Sequence, residues 1–535
     1  MNSKKGGGTS VSGRVLRNSI IRMAQFVMGI AISFLMMPWL VRHLGDRIYG
    51  LWTLVGTVLG YYGLIDIGLS SAVVRYISRA VGQDDREEIR RVFCTAFYLF
   101  LALGLITAGL TFGIAAFVRT FVHTADDVVL FRSLLFILGL NFAFDFPVRA
   151  FNAIFTSTIR DDISVGLTMV KTVLSSCFVV WMISKGHGIV AMAIISVSFS
   201  VIDSLMRVRI SYALEPAISI QPRYFDKKIV RSLFGYSAYT FVGNIADIFC
   251  YRLDSIVTTI GVGLSAVTHF FVASRLVEYL TMSLSEMIRV VTPVFSQDEG
   301  RKDFDAIRRR FKFLIRLSVY FSVFTCGVAV FYGRHFIATW MGTDYHDSYM
   351  VLLILISGLF IRLLQFPAIP VLYGISKHKY YTYTNLVEGT INLILSLYWV
   401  ERWGIRGVAM GTALPMALIS IFVQPWYVCH VLSMEIRLYV LAITKDTSRA
   451  VLFLCVGLLP GYFLAHDSYR SLILCLFVQL TTYVPMVFFF GFTLDERTNL
   501  TRVLQHAIPF AFSKEEADAR AAIVARQSRT EVSGG

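Results

Sequence analysis

Hydrophobic windows of about 20 residues recur from one end of this chain to the other. A window of that length matches the ~30 Å hydrocarbon layer of a membrane, because an α-helix rises about 1.5 Å per residue. Only 16% of the residues are charged, whereas soluble proteins carry about a quarter. The pattern predicts an all-α integral membrane protein. We place fourteen spans at roughly 18–41, 50–74, 92–117, 130–155, 163–184, 189–210, 232–260, 265–293, 311–333, 350–373, 382–400, 407–429, 447–465 and 471–492.

The basic residues predict an orientation for these spans. With a cytoplasmic N-terminus, 34 of the 50 Lys and Arg residues fall in inner segments or the span ends that adjoin them, and 8 fall in outer segments. The positive-inside rule therefore predicts N-in and C-in. The formal net charge of +15 follows from this topology, so it does not indicate nucleic acid. The first apolar run is too long for a signal peptide and lacks a cleavage site, so we expect it to be retained.

Two sequence patterns recur with a shift of 218 residues. Ile89–Phe93 recurs as Ile307–Phe311, and five residues between Trp181 and Met192 recur between Trp399 and Met410. The period contains six spans, an even number, so both copies enter the membrane in the same direction. This predicts two six-helix lobes related by a pseudo-twofold axis along the membrane normal, with a site between them and two extra C-terminal helices. The predicted divisions are a cytoplasmic tail at 1–17, an N-lobe at 18–210, a linker at 211–231, a C-lobe at 232–429, a linker at 430–446, two spans at 447–492 and a cytoplasmic tail at 493–535.

The sequence lacks the motifs of an enzyme or a metal site. There is no CxxC pair, HxxxH, HExxH, GxSxG or Gly-rich phosphate loop. The outer loops are all short, and the longest runs from Arg334 to Asp347. We therefore expect no enzymatic activity, no catalytic residue, no metal and no cofactor. A membrane enzyme acting on a lipid carrier, such as a polymerase or ligase, is the alternative from another class.

One predicted helix, Leu264–Pro293, carries a stripe of charges across most of its length. A charge that faces lipid is costly by several kcal/mol, so the stripe should face other helices or a wet cavity. The alternative is that these acids and bases neutralise one another and hold the helices in register. The stripe consists of Arg275, Glu278, Glu286 and Arg289, and the preceding span adds Asp247, Arg252 and Asp254.

Seven short stretches share one pattern of resemblance: Pro38–Gly45, Tyr49–Trp52, Leu64–Leu69, Arg75-Tyr76, Arg252–Asp254, Pro293–Ser296 and Gly404–Ala409. They resemble the polysaccharide transporters, the Wzx-like branch of the MOP (MATE-type) flippase superfamily. The resemblance implies a flippase that moves an undecaprenyl-diphosphate-linked oligosaccharide from the inner to the outer leaflet of the bacterial inner membrane. Such proteins serve lipopolysaccharide or exopolysaccharide synthesis and work by alternating access.

The resemblance also implies the partners. These are the lipid-linked oligosaccharide, membrane lipids, and a polysaccharide polymerase or export machinery, with no nucleic acid; we expect a monomer. Coupling to H+ or Na+ is common in the superfamily. Two alternatives stay open: a flippase for lipid II, the peptidoglycan precursor, and a MATE-type cation or drug antiporter. The two extra spans and the distributed arginines count against the antiporter.

A diphosphate that crosses the bilayer needs cations, and guanidinium binds oxyanions through two parallel hydrogen bonds. Arg275 ranks first because it lies near the middle of its span, and Lys171 has no acid within one helical turn. Arg149 follows Asp145 at the spacing of a local ion pair, and Asp66 either binds a coupling ion or pairs with a neighbouring helix. The candidates for substrate binding are Arg275, Arg252, Lys171, Arg362, Arg17, Arg22 and Arg289, and those for ion coupling are Asp66, Asp247, Asp254 and Glu278.

Overall fold

The computed structural model describes residues 11–66, 68–120, 124–234, 253–289, 295, 298–375, 377, 379–464, 468–494 and 496–498. Regular structure within these residues is helical, with short 3-10 or π segments at several helix ends. The α-helices are α1 Val11–Leu44, α2 Asp46–Tyr61, α3 Leu69–Gly82, α4 Arg86–Phe117, α5 Ala125–Ser157, α6 Asp161–Ser184, α7 Ile189–Leu214, α8 Asp254–Gly261, α9 Leu264–Arg289, α10 Phe304–Trp340, α11 His346–Leu364, α12 Ala368–Gly374, α13 Lys379–Leu418, α14 Gln424–Val431, α15 Ile436–Leu464 and α16 Tyr469–Met486.

The helices have the length and composition of membrane spans. In the described part of the chain, 10 helical stretches are long and apolar enough to cross a membrane. Large apolar side chains such as Phe117, Phe422 and Ile473 are exposed, as expected of surfaces that contact lipid. The protein is therefore a multi-pass membrane protein. Most of the predicted span 232–260 lies outside the described residues.

Four of the predicted spans are divided or joined in the fold. The second predicted span is interrupted, because α2 ends at Tyr61 and α3 begins only after Gly68, whose φ is 74°. The predicted span 350–373 divides into α11 and α12. The predicted spans 382–400 and 407–429 are joined through α13, which has a kink at Gly404 with φ 55° and ψ −135°. Glycine adopts these positive φ values readily because it has no Cβ atom.

The repeat of 218 residues is present in the fold as well as in the sequence. Helices α2, α4 and α6 begin 218 residues before α9, α10 and α13. Asp85 and Asp303 cap α4 and α10 in the same way, each accepting a hydrogen bond from the backbone N–H three residues later. The backbone φ is positive at Gly186 and again at Gly404. The two halves therefore share helix boundaries and local backbone geometry.

The repeated arginine-rich motif has the same structural role in each half. Arg90 of α4 donates to the carbonyl oxygen of Ala217 at 3.1 Å, just after α7. Arg308 of α10 donates to the carbonyl oxygen of Leu432 at 2.8 Å, just after α14. Each arginine thus fixes the segment that follows the last helix of its half.

Helix packing divides the described residues into two groups. Helices α1–α7 pack on one another and form the N-terminal group, and α8–α14 form the C-terminal group. Helices α15 and α16 pack together and against α10. The two groups meet where α2 packs against α8 and α9, and buried side chains from both groups, among them Met37, Tyr49 and Phe270, form one core there. This contact surface separates two ends of the molecule, which we call the Arg22 end and the Asp46 end after residues of α1 and α2.

Candidate functional site

A cavity lies between the two groups on the side of the Arg22 end. It has a volume of about 380 Å³ and is lined by α1 and α9, with Thr172 of α6 in its wall. We call it the central cavity. Its charged lining residues are Arg22 and Arg275, and Tyr279 contributes a hydroxyl group. Its size is within the range of small-molecule sites, about 300–1,000 Å³.

Arg275 is held in the wall of the central cavity by its own helix. One guanidinium nitrogen lies 2.7 Å from Glu278 Oε2, and the group lies 4.7 Å from the ring centroid of Phe271 and 5.9 Å from that of Tyr279. The side chain is 28% exposed, and its buried Nε has no hydrogen-bond partner among the described residues. Arg275 therefore has donors left for a ligand although it pairs with Glu278.

Arg22 joins α1 to α6 at the mouth of the same cavity. It lies 2.7 Å from Asp161 Oδ2, and its side chain is 59% exposed. An exposed ion pair of this kind contributes little to stability, about 0–1 kcal/mol. The guanidinium can therefore exchange its carboxylate for another anion without a large loss of stability.

Lys171 has an acidic partner that the sequence does not indicate. Its Nζ lies 3.5 Å from Oδ2 of Asp203 on α7, and the Lys171 side chain is 32% exposed. The same carboxylate oxygen lies 2.9 Å from Nε of Arg207. Asp203 is thus shared by two cations, so the cluster carries one excess positive charge.

Arg207 is a buried cation that the sequence prediction left out of the site. Its side chain is 8% exposed, and it donates to Asn152 Oδ1 at 3.0 Å and to Ser164 Oγ at 2.6 Å. It also donates to Thr168 Oγ1 at 2.7 Å. The helical spacing of Asp203 and Arg207, four residues apart, was the available signal, since such pairs face each other on one helix.

Arg362 lies in a buried ion pair. Its guanidinium lies 2.8 Å from Oε2 of Glu388 on α13, and the two side chains are only 6% and 4% exposed. The pair therefore joins α11 to α13 inside the C-terminal group, away from the central cavity. Its role in substrate binding stays a prediction.

Asp66 pairs with a neighbouring helix, one of the two roles expected for it. It accepts hydrogen bonds from the backbone N–H and the hydroxyl of Ser70, at 3.0 and 2.7 Å, and lies 3.0 Å from Arg149 of α5. The expected local pair of Arg149 with Asp145 is thus wrong, because the fold brings Asp66 to Arg149 instead. The Arg149 guanidinium also lies 4.3 Å from the ring centroid of Phe146.

Asp254 begins α8 and belongs to a buried cluster of oxygen atoms. Thr412 Oγ1 lies 3.0 Å from Asp254 Oδ2 and 3.3 Å from Asn392 Oδ1. The Asn392 side chain also hydrogen-bonds Asp254, and Ser396 donates to Asn392 Oδ1 at 2.8 Å. The carbonyl oxygen of Val408 lies 3.2 Å from Thr412 Oγ1. Oxygen atoms of this kind suit a hard cation or a proton.

Four of the remaining candidates have no described side chain. Arg252 and Asp247 lie outside the described residues, and so do the side chains of Arg17 in α1 and Arg289 in α9. Glu278 is the partner of Arg275. No cluster of three or more His, Cys, Asp or Glu side chains that suits a metal ion occurs in the ranges that the structure describes.

At the Asp46 end the two groups are joined by polar contacts that the sequence gives no sign of. Asp46 accepts a hydrogen bond from the hydroxyl of Tyr345, and its carbonyl oxygen accepts one from Thr268 Oγ1 at 2.7 Å. His269 Nε2 lies 3.6 Å from Asp46 Oδ2, and its ring stacks on that of Tyr345 with centroids 4.4 Å apart. The two groups are therefore tied together at this end.

An aromatic pair reinforces the same contact. Trp340 of α10 is buried, and its Nε1 donates to the carbonyl oxygen of Phe34 in α1 at 2.8 Å. The two rings are stacked with centroids 4.8 Å apart. The molecule thus combines a cation-lined central cavity with closed contacts at the Asp46 end.

Comparison with known proteins assigns the chain to a family. Residues 39–350, more than half of the chain, match the family described as polysaccharide biosynthesis protein. This chain belongs to that family. The match agrees with the sequence resemblance to the polysaccharide transporters.

Two relatives of this polysaccharide biosynthesis protein cover most of its length. A Shigella flexneri protein that carries the name of an O-antigen transporter is 22% identical over 425 residues, which are 77% of this chain and 97% of the relative. The uncharacterized membrane protein EpsK of Bacillus subtilis is 22% identical over 496 residues, which are 90% of this chain and 96% of EpsK.

Solved structures show the fold of the polysaccharide biosynthesis protein. The lipid II flippase MurJ in an inward closed conformation has a TM-score of 0.67 at 15% identity, covering 88% of this chain and 98% of MurJ. An inward-facing multidrug resistance MATE transporter of the MOP superfamily has a TM-score of 0.64 at 16% identity, covering 80% of this chain and 99% of the transporter. The fold is therefore MATE-like.

Proposed function

We propose that this polysaccharide biosynthesis protein is a flippase for an undecaprenyl-diphosphate-linked oligosaccharide. It would move this lipid from the inner to the outer leaflet of the bacterial inner membrane for the synthesis of cell-surface or extracellular polysaccharide. The observation that carries the proposal is the central cavity, which is lined by Arg22 of the N-terminal group and Arg275 of the C-terminal group. Cations at a membrane-embedded cavity provide the donors that a diphosphate loses when it leaves water.

The two groups would be the two lobes of an alternating-access transporter. We infer fourteen spans, two lobes of six helices related by a pseudo-twofold axis along the membrane normal, and N- and C-termini in the cytoplasm. The shared helix boundaries of the two halves support this arrangement. In that topology the Asp46 end is the outer side, so the structure would be inward-facing, with its outer contacts closed. Rocking of the two lobes would then break the contacts of Asp46 and open the outer side.

The cations of the cavity wall would exchange their carboxylate partners for phosphate. Arg22 and Arg275 each pair with one acid and remain partly exposed, so a phosphate reaches them without breaking a buried pair. Lys171 precedes the lining residue Thr172 and is 32% exposed, and it can leave Asp203 because Arg207 continues to neutralise that carboxylate. The arginines would act as bidentate phosphate ligands and Lys171 as a point charge.

An ion gradient is a second element of the proposal. The oxygen cluster around Asp254 would bind the coupling H+ or Na+, because Asp254, Asn392 and Thr412 bring one carboxylate and several neutral oxygen atoms together. The cluster joins α8 to α13, so its occupancy would alter the packing of the C-terminal group. No other cofactor is needed for this mechanism.

The test is flipping of a fluorescent undecaprenyl-diphosphate-oligosaccharide in proteoliposomes. We compare the wild type with Arg275→Ala, Arg275→Lys and the matched control Arg470→Ala, which removes an exposed arginine at the start of α16. We expect Arg275→Ala to slow flipping at least tenfold, Arg275→Lys to restore part of the rate, and Arg470→Ala to have no effect. Thermal melting of each variant confirms that it is folded.

Other outcomes would replace the proposal or part of it. If folded Arg275→Ala flips at the wild-type rate, Arg275 does not bind the phosphate. If the wild type flips lipid II and leaves the oligosaccharide lipid in place, the protein is a lipid II flippase. If it moves neither lipid but exchanges small organic cations for protons, it is an antiporter.

A further inference from the structure

A second cavity lies at the Asp46 end, inside the C-terminal group. It has a volume of about 660 Å³ and is formed by the turn between α8 and α9, the start of α11 and the kink of α13. The positive φ of Gly404 turns the chain at the kink, and Arg402, Trp403 and Arg406 line the cavity on either side of it. We call it the Trp403 pocket. The size is sufficient for a sugar residue or a short oligosaccharide.

The pocket carries an uncompensated positive charge. Arg406 lies 2.7 Å from Asp347 Oδ1, so these two side chains neutralise each other. Arg402 has no carboxylate within ion-pair distance in the part of the chain that the structure describes. Its guanidinium lies 5.1 Å from the ring centroid of Tyr398, an interaction that leaves the hydrogen-bond donors available. A guanidinium without an acidic partner can bind the carboxylate of a ligand through two parallel hydrogen bonds.

The pocket also offers an aromatic surface. Trp403 is 49% exposed, and its ring centroid lies 5.6 Å from that of Trp399. An exposed indole presents a large apolar face and one polar N–H. The apolar face of a sugar ring packs on such a surface, while its hydroxyl groups contact polar side chains such as Asp347 and His269.

The N-terminal half forms the corresponding turn without the arginines and the tryptophan of the pocket. The backbone kink at Gly404 has its counterpart at Gly186, which also has a positive φ. The residues 218 positions before Arg402, Trp403 and Arg406 are Ser184, Lys185 and Gly188. One half therefore forms the same turn without these two arginines and this tryptophan, so the set has a role other than making the turn.

We propose that the Trp403 pocket binds an acidic sugar of the translocated oligosaccharide on the outer side of the membrane. This inference rests on the proposed function and adds a sugar-binding site to it. Arg402 binds the carboxylate of the sugar, Trp403 packs on its ring, and Arg406 and Asp347 contact its hydroxyl groups.

His269 connects the pocket to the contact between the two groups. Its side chain lines the Trp403 pocket, and its Nε2 lies 3.6 Å from Asp46 Oδ2 in the N-terminal group. A sugar that hydrogen-bonds His269 at Nε2 competes with Asp46 for that nitrogen. Occupation of the pocket therefore weakens the closed contact at the Asp46 end and favours the state in which the oligosaccharide is exposed to the outside.

The test measures binding without transport. The purified full chain is placed in nanodiscs of zwitterionic phosphatidylcholine, and isothermal titration calorimetry is carried out with trigalacturonate, maltotriose and inorganic phosphate. The variants are Arg402→Ala and Trp403→Ala, with Arg470→Ala as the matched control for an exposed outer arginine. Thermal melting verifies the fold of each variant.

We expect trigalacturonate to bind the wild type and Arg470→Ala equally, and to bind Arg402→Ala and Trp403→Ala at least tenfold more weakly. Maltotriose should bind more weakly than trigalacturonate because it lacks the carboxylates. Equal binding to all variants, or no binding of trigalacturonate, overturns the proposal. If inorganic phosphate binds as tightly and Trp403→Ala has no effect, the pocket is an anion site for lipid headgroups and the sugar assignment is wrong. Flipping activity does not enter this measurement, so its result is separate from that of the proposed function.

Discussion

Gly50 of α2 lies directly against the backbone carbonyl group of Leu264 at the start of α9. A Cβ atom on Gly50 would overlap the carbonyl oxygen of Leu264, so only glycine permits this approach of the two groups. Gly50 lies about one helical turn after Asp46 on α2, which places this backbone contact at the Asp46 end. Closure of this end thus depends on the absence of one side chain.

Gly50→Ala should therefore push the two groups apart at the Asp46 end. We expect a larger distance between spin labels placed on α2 and α11, measured by pulsed electron paramagnetic resonance, together with a lower melting temperature. Gly56→Ala on the same helix is the matched control, since a Cβ atom there meets nothing within 4 Å. It should leave the distance unchanged and stabilise α2 by up to about 1 kcal/mol. Equal behaviour of the two variants would show that the Gly50 contact does not hold the end closed.

Replacement of Arg362 alone should strongly destabilise the protein. Arg362→Met leaves Glu388 buried without its partner, at an expected loss of about 3–5 kcal/mol. The double variant Arg362→Met with Glu388→Leu should recover most of this stability, because it removes both buried charges. Thermal unfolding in detergent gives the comparison. Arg91→Ala serves as a control, since its pair with Glu87 is exposed and contributes about 0.3–0.5 kcal/mol.

Lys171 and Arg207 share Asp203 but should respond differently to substitution. Arg207→Ala removes the buried donors to Asn152, Ser164 and Thr168, so we expect a loss of several kcal/mol in stability. Lys171→Ala should change the melting temperature little, because Arg207 still neutralises Asp203, yet it should slow flipping in proteoliposomes. A Lys171→Ala protein that melts early would indicate that Lys171 is structural.

Thr412→Val tests the oxygen cluster without removing a charge. Valine has nearly the same shape as threonine but lacks the hydroxyl that lies 3.0 Å from Asp254. If the cluster binds the coupling ion, the rate of lipid flipping driven by a Na+ or H+ gradient should fall. The slow equilibration of the lipid between the two leaflets without a gradient should persist. Ser133→Ala, which removes a hydroxyl from a half-buried position of α5, is the control. Unchanged dependence on both gradients in Thr412→Val would exclude the cluster as the coupling site.

Linear features of the chain were sufficient to predict a multi-pass, all-helical membrane protein. The apolar windows, the repeat and the family resemblance are all found by reading along the sequence. The apolar windows report which segments are compatible with lipid. A helix in a membrane must satisfy its own backbone hydrogen bonds, so length and hydropathy determine where it forms. The sequence repeat also identified Arg90 and Arg308 as counterparts. It did not predict their hydrogen bonds to the carbonyl oxygens of Ala217 and Leu432.

Partners of the charged residues were decided by the tertiary structure alone. Arg149 has Asp145 at a favourable local spacing, yet it pairs with Asp66, and Lys171 pairs with Asp203 of another helix. Inside a membrane protein a charge is stabilised by whichever opposite charge the packing brings near, and helix packing joins residues that lie far apart in the sequence. For the same reason the contacts of Asp46 with His269 and Tyr345 have no signature in the sequence. The sequence determined that this chain is a helical membrane protein of the polysaccharide biosynthesis family, and packing decided which of its charges remain accessible to a substrate.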